Sequence, residues 1–328
     1  MDWLTRMNAA VSYIEENLDN VIDYDTLAKL ACCSAHNFFR MFSFITDISL
    51  AEYIRRRRLT LAALELQNSN IKVIDLSAKY GYDSPVSFTR AFQTLHGVTP
   101  TEARADGVML KAYPKIAFKI SIKGEKEMDY RIETKEAFQV FGVEELFNAE
   151  AAIMDEHQAD PSEKSGGGAA FAEEGSENCS AIFYNLRKPA DLWQDCHANG
   201  AYERLDKASG DLPTFINQAL CKVHAVCDYR ETEKGTFPYM LCAFRTQNSN
   251  VEEFTVVDIP AHTWAIFPTE KFAWDDCGAV LGSLYKRIFS EWLPTSNYEQ
   301  VGSLDMELYG GDEDFGYVEI WLAVRKKD

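Results

Sequence analysis

The stretch Ile71-Lys72-Val73-Ile74-Asp75-Leu76-Ser77-Ala78-Lys79-Tyr80-Gly81-Tyr82-Asp83-Ser84-Pro85-Val86-Ser87-Phe88-Thr89-Arg90-Ala91-Phe92, followed by His96-Gly97-Val98-Thr99-Pro100, holds two short helical runs separated by a turn. Val73–Tyr80 is the first run and Gly81-Tyr82-Asp83-Ser84 the turn. Ser84-Pro85 then supplies an N-cap and a proline at the first helical position, where its missing N–H costs nothing. This is a helix-turn-helix layout. The chain carries it twice: at an offset of 50 residues Phe38 aligns with Phe88, Arg40 with Arg90, Phe42 with Phe92, Ser49 with Thr99 and Glu52 with Glu102. In the first copy Asp25–Ala31 leads, Cys32-Cys33-Ser34 turns, and Ser34 caps the second helix. Ser49–Glu52 and Thr99–Glu102 read as capping boxes, which brings the independently placed helix starts to four.

Between the motifs a helix is expected from Ser49 to Gln67, roughly 28 Å long at 1.5 Å per residue. Such a rod holds two reading helices about one DNA turn (~34 Å) apart, so one chain can occupy two adjacent major grooves. At about 100° per residue, Leu50, Ile54, Arg57, Leu61 and Leu64 share a face, so Arg57 is expected to be tethered inside the domain, with Asp75 as its partner. Arg55, Arg56 and Arg58 point elsewhere, either to DNA phosphates or into a solvated charged face.

The whole chain has 328 residues, 46% apolar and 26% charged, enough for two cores. No run approaches the ~20 apolar residues of a membrane helix, and the first residues lack a signal-peptide layout, so a soluble cytoplasmic protein is expected. The eight cysteines include no C-x-x-C pair and read as reduced, mostly buried thiols. No metal site or cofactor is expected. A formal charge of −18 argues against nucleic acid as a partner, yet it is unevenly spread. Residues 1–106 hold 11 Lys and Arg against 13 Asp and Glu, and the remainder 22 against 38. The acidity belongs to the second part.

On the quoted motifs, residues 4–106 resemble the AraC/XylS regulators. The resemblance implies that Ala35–Phe44 and Pro85–Leu95 are reading helices docked in the major groove of double-stranded DNA. It assigns DNA contact to His36, Asn37, Phe39 and Arg40 on the first and to Val86, Ser87, Thr89 and Arg90 on the second, with Phe38, Phe42, Phe88 and Phe92 in the core. Arginine suits guanine or phosphate, asparagine adenine, and the Val86 or Thr89 methyl groups a thymine methyl. Phe39 departs from the polar residue often found at its position, which puts base readout by the first helix in doubt. RNA polymerase is a further candidate partner.

After Gly107 the period changes to that of strands: Ile116–Ile122, Phe138–Phe147, Tyr239–Arg245, Phe254–Asp258, Thr263–Phe267, Ser303–Tyr309 and Tyr317–Val324, with helices at Trp193–Ala208 and Cys277–Trp292. The expected architecture is an all-α N-terminal domain (1–107) with two helix-turn-helix motifs, followed by an α+β domain (108–328) with a mostly antiparallel sheet. Asp155–Glu177, rich in Gly and Glu, is expected to be a mobile insertion. The rest of the second domain divides into two similar halves, Phe138–Arg245 and Phe254–Lys326, whose pseudo-twofold arrangement leaves a cleft.

On the last strand Phe315, Tyr317, Glu319, Trp321 and Ala323 share one face, and Val318, Ile320, Leu322 and Val324 the other, which should cover helices. Glu319 between two aromatics belongs either to a solvated sheet surface or to an aromatic-lined cavity that neutralises a cation. Glu307, Tyr309, Trp264, Trp274, Tyr298 and Tyr239 could join that cavity. Met128-Asp129-Tyr130-Arg131-Ile132-Glu133, Pro260-Ala261-His262-Thr263-Trp264-Ala265-Ile266-Phe267 and Glu319-Ile320-Trp321-Leu322 resemble the GyrI-like effector-binding domain. That resemblance implies an acidic residue at Glu319 facing an aromatic cleft for small cationic or amphipathic molecules.

The expected function is therefore a ligand-responsive transcription regulator with no catalytic residues, which the resemblance extends to multidrug sensing. Two alternatives stand beside it: a DNA-linked hydrolase using Glu319 as general base, and a protein that sequesters ligand without signalling.

Overall fold

The computed structural model describes residues 3–119, 127–148, 187–233 and 235–327. The expected insertion at Asp155–Glu177 lies outside them. The N-terminal region is helical: α1 (Trp3–Glu16), α2 (Tyr24–Ala31), α3 (Ala35–Thr46), α4 (Leu50–Asn68), α5 (Val73–Lys79) and α6 (Pro85–His96). α2–α3 and α5–α6 are the two helix-turn-helix motifs. The Ser34 and Ser84 hydroxyls accept the amides of Asn37 and Ser87, both at 3.1 Å, as the capping argument requires. Each turn needs one left-handed residue. Gly81 supplies it in the second (φ 74°), and Cys32 adopts it in the first (φ 54°).

Phe38, Phe42, Phe88 and Phe92 are fully buried, but in two different cores. Phe88 and Phe92 pack with Leu59, Ala62, Leu66, Leu76 and Tyr80 in a core belonging to the second motif. Phe38 and Phe42 belong to a core that runs from α1–α3 into the C-terminal region. α4 serves both, burying Leu50, Tyr53 and Ile54 on one side and Leu59, Ala62, Ala63 and Leu66 further along. The single face read from the wheel therefore fails at Leu64, which is 49% exposed.

Arg57 is tethered as expected, but its partner is Glu15 rather than Asp75: both Nε and Nη2 donate to the Glu15 carboxylate at 2.8 Å. Arg55 and Arg56 both pair with buried Glu52, and Arg58 donates to the carbonyls of Leu18 (2.8 Å) and Asn20 (3.0 Å). Thr99 and Glu102 form the reciprocal capping box, yet it opens only a 3₁₀ turn, Glu102–Arg104. The described part of the expected strand Ile116–Ile122 is not in a sheet. It runs along α1, where the Asn8 side chain accepts from Phe118 N and donates to Phe118 O, each at 2.9 Å.

The C-terminal region is one antiparallel sheet, whose strands among the described residues are β1 (Arg131–Lys135), β2 (Phe138–Asn148), β3 (His224–Cys227), β4 (Thr236–Phe244), β5 (Thr255–Ile259), β6 (His262–Pro268), β7 (Phe272–Ala273), β8 (Tyr298–Gly311) and β9 (Phe315–Lys326). The order β1-β6-β9-β8-β3-β4-β2-β5 is symmetric about the β8–β3 pair. From the centre outward one half reads β3-β4-β2 and the other β8-β9-β6. Each half contributes helices: α7 (Pro189–Ala198) and α8 (Ala201–Ser209) in the first, α9 (Cys277–Arg287) in the second. The expected helix Trp193–Ala208 is thus two, broken where Gly200 takes φ 73°. The second helix continues past Arg287 as a π-helical turn, Ile288–Trp292.

Candidate effector cleft and DNA-reading helices

The sheet has two covered faces. On one, Val140, Trp264, Ile266, Met306, Leu308 and Trp321 pack beneath Ile216 and Leu220. On the other, Ala225, Leu241, Ile320 and Leu322 pack with α9, α7, α8 and the first helix-turn-helix motif.

Glu319 is on the first face, buried, and lines neither of the two cavities described below. Its Oε2 accepts from Arg131 Nη2 at 2.7 Å and from Trp321 Nε1 at 2.9 Å, so its charge is matched within the fold. Trp321 and Trp264 are fully buried beside it, and Lys135 Nζ lies 5.4 Å from the Trp321 ring centre. Tyr317 packs on Gly310, where a Cβ would fall 2.5 Å from its ring, and accepts from Asn217 at 3.1 Å. Trp274 is at the sheet edge, its Nε1 donating to Asp312 O at 2.9 Å. The two-aromatic pattern around Glu319 therefore belongs to a closed core. The reason is visible in β1, whose Arg131 reaches across β6.

A cavity of about 410 Å³ opens on the opposite face, over the pseudo-twofold axis between α7 and α9. Its floor is Cys227 on β3, Phe237 and Tyr239 on β4, and Glu307 and Tyr309 on β8; Trp193 on α7 and Tyr285 on α9 are walls. Gly278 and Gly282, one turn apart on α9, face it without side chains; a Cβ at Gly278 would meet nothing within 4 Å. Of the nine residues expected to bind ligand, Glu307, Tyr309 and Tyr239 meet here. Tyr298 lines a separate cavity of about 400 Å³ with Trp3, Asn37 and Gln300.

The lining sets one carboxylate, Glu307, and two cations, Arg40 and Lys188, among aromatic rings. Tyr285 Oη donates to Glu307 (3.1 Å) and to Asp305 (3.2 Å), Tyr309 Oη donates to Glu307 (2.7 Å), and Trp193 Nε1 donates to Tyr239 Oη (2.8 Å). Burial, reinforced by the nearby carboxylates, pushes all three phenols well above their ordinary range, so they stay protonated donors. Asp305, which the sequence reading missed, is 1% exposed; burial and Glu307 push it up to about 6 against the pull of Arg40. Its signal was present in the run Asp305-Met306-Glu307-Leu308-Tyr309, the same alternation that drew attention to Glu319.

The fourth wall comes from the other domain. His36, Arg40, Ser43 and Phe44 of α3 line the cavity. Arg40 Nη1 is 2.7 Å from Asp305 Oδ2, and its guanidinium stands 4.8 Å from the Tyr285 ring centre. His36 stacks on Phe237 at 3.4 Å, Phe44 stacks on Tyr285 at 4.9 Å, and Asn37 Nδ2 donates to Gln300 at 2.9 Å. Phe39 is buried edge-on against Tyr24 within its own motif. None of these four expected DNA contacts on α3 is at the surface. Sequence shows which side of a helix leaves its own motif, but not what else covers it. On α6, Val86 (79% exposed), Ser87 and Arg90 are at the surface, and Thr89 is half-buried with its hydroxyl donating to Pro85 O at 2.7 Å.

Tandem helix-turn-helix motifs joined to a two-fold effector cleft define a DNA-binding regulator that responds to a small molecule. Residues 27–106 match the helix-turn-helix domain family and residues 184–324 the integron-associated effector binding protein family. Over 109 residues the chain is 38% identical to the HTH-type transcriptional activator AarP of Providencia stuartii, covering 32% of this chain and 81% of that protein. It is 41% identical over 92 residues to the TetD protein of transposon Tn10 from Escherichia coli (28% and 67%), and 35% identical over 94 residues to the regulatory protein SoxS of Escherichia coli K12 (29% and 88%). An integron cassette protein of Vibrio cholerae aligns with 60% of this chain and 95% of its own at 14% identity, with a TM-score of 0.35, too low to add weight. The chain belongs to the AraC-type helix-turn-helix regulators, with an effector-binding domain as its second part. It is a ligand-responsive transcription regulator rather than an enzyme. Among the described residues no helix is long and apolar enough to cross a membrane.

Proposed function

We propose that the effector is a small aromatic cation held in the cleft between α7 and α9, with Glu307 as its counter-charge. One observation carries this: Glu307 accepts from two tyrosines, yet no Lys, Arg or His among the described residues pairs with it, whereas Asp305 on the same strand face has Arg40. An acidic group set among Tyr309, Tyr285, Tyr239 and Trp193 offers a cation both charge and ring faces. The volume suits a small ligand. The domain join is placed near residue 107, and DNA is read by α6 through Val86, Ser87, Thr89 and Arg90, and by α3 when it is uncovered. A DNA partner implies a cytoplasmic location, and RNA polymerase is the expected downstream contact.

Benzamidine and its neutral isostere benzamide test the cleft by calorimetric titration. Wild type should prefer the cation, and Glu307→Gln should weaken the cation by about tenfold (~1.4 kcal/mol) while the amide loses little. Equal losses for both compounds would count against Glu307 as the counter-charge.

A further inference from the structure

The internal repeat supplies a control for the position of α3. At the 50-residue offset His36, Asn37, Arg40 and Phe44 correspond to Val86, Ser87, Arg90 and Thr94, all exposed on α6. On α3 the same positions face the effector domain, through His36 on Phe237, Asn37 on Gln300, Arg40 on Asp305 and Phe44 on Tyr285. The side of a reading helix that meets base edges is its groove-facing side. In α3 that side lies across the cleft, so a docked α3 cannot enter DNA.

The contact has the character of a seat that can be vacated. Cavities of about 410 and 400 Å³ border it on either side, and close packing is interrupted there. Two buried polar atoms within it, Asn37 Oδ1 and Gln300 Nε2, have no hydrogen-bond partner among the described residues, and His36 Nδ1 has only Asp228 Oδ2 at 3.8 Å. Groups left in that way weaken a contact, whereas a permanent core satisfies them. At its centre Arg40 meets Asp305 and Tyr285, a cation bound by an acid and an aromatic ring.

We propose that Arg40 is the resident cation of the cleft, and that an effector cation entering it displaces Arg40 and releases the first reading helix to DNA. This rests on reading the cleft as a cation site. It adds that the site is occupied from within when no effector is bound, and that closed α3 and DNA-bound α3 exclude each other. The sign follows: a cation that competes with Arg40 raises DNA affinity.

Two substitutions in the full chain test the seat without any ligand. Asp305→Asn removes the carboxylate that holds Arg40. Ser303→Glu sets a carboxylate against Asp228 and Ser34 at the start of α3, where Ser303 Oγ now lies 2.6 Å from Ser34 Oγ, and leaves the cavity lining intact. In both, amide exchange over residues 35–46 should quicken by at least about tenfold, and a randomised duplex pool should bind at least about tenfold tighter at fixed salt. Exchange in residues 85–96 should stay as in wild type, which separates undocking from general unfolding. Unchanged exchange in α3 and unchanged DNA affinity in both variants would overturn the proposal and make the first motif a fixed part of the sensor.

Benzamidine added to wild type, followed by the part of the tryptophan fluorescence that Trp193→Phe removes, separates this from the cleft reading. Quenching together with faster exchange in α3 supports displacement. Quenching with α3 still protected overturns displacement and leaves the cleft reading standing. No quenching in wild type or either variant overturns the cleft reading and the displacement with it, while the ligand-free exchange data still report whether Asp305 seats Arg40.

Discussion

His36 is held neutral where it stacks on Phe237: burial, with Arg40 assisting and Asp228 opposing, lowers its pKa from 6.5 to about 4. Lifted into water it would titrate near its ordinary value, so the docked form binds fewer protons between the two values. Its contribution to docking is full above about pH 6.5 and is lost as pH falls through about 4. Asp305 lies in the same window, raised by burial from 3.8 to about 6 against the pull of Arg40. His36→Phe keeps the ring stack and removes the titration. The ratio of α3 exchange rates, wild type to variant, should rise on the order of twentyfold from about pH 7 to about pH 5. A flat ratio would show that His36 does not titrate on release. Arg57 poses a different question, since its pair with Glu15 is nearly buried, at 12% and 11% side-chain exposure. Arg57→Met keeps the stem and strands the carboxylate, which should lower unfolding free energy by about 3 kcal/mol in denaturant titrations, with Glu15→Gln restoring part of it. The wheel showed that Arg57 points inward but could not name Glu15, because a wheel gives a direction and the partner comes from another helix 42 residues away.

At the level of elements, the segment after α6 decides where the N-terminal domain ends. Tyr113 O accepts from Arg57, Ile116 N donates to Tyr53 Oη at 3.1 Å, and Phe118 is 7% exposed against Trp3 and Phe42. A fragment ending at residue 119 should therefore melt higher than one ending at 107, by the burial of one phenylalanine, about 2 kcal/mol, plus the hydrogen bonds. Equal melting temperatures would mean the segment docks only in the full chain. In both fragments α5–α6 should be the better protected motif, because its core is self-contained, whereas the core of α1–α3 continues into the effector domain. The helices were legible in the sequence because their caps are local: Ser34, Ser49 and Ser84 each sit three residues before the amide they satisfy. The strands from Phe138 onward were legible from alternation. β4, buried at all but its first residue, was legible only as a long apolar run, and β3, four buried residues, had neither that length nor a period of two.

At the scale of the molecule, the same alternation that located β9 pointed to Glu319, which the fold pairs with Arg131. Both sheet faces are covered, so an acid among aromatics on β9 and another on β8 are equivalent in sequence, and only Arg131 on β1 tells them apart by neutralising Glu319. The cleft itself follows from the symmetric strand order, which sets β3 and β8 at the centre with α7 and α9 on either side, and its fourth wall is the one element no local pattern could assign. If that wall is a reading helix, effector and DNA are coupled through a single two-state element, and linkage makes the coupling reciprocal. The factor by which saturating benzamidine tightens binding of the duplex pool must equal the factor by which saturating duplex tightens benzamidine. That factor is bounded by the closed-to-open ratio of α3, so Asp305→Asn, which removes the closed state's ion pair, should shrink both toward one together. Arg90→Ala, on the exposed α6, should instead weaken DNA by about 1–3 kcal/mol and leave the coupling factor as it was. Titrating each ligand in the presence and absence of the other, in all three proteins, measures every term. Unequal factors in wild type would mean that more than one conformational change links the two sites, and an Arg90→Ala protein with lost coupling would move the switch from the first motif to the second.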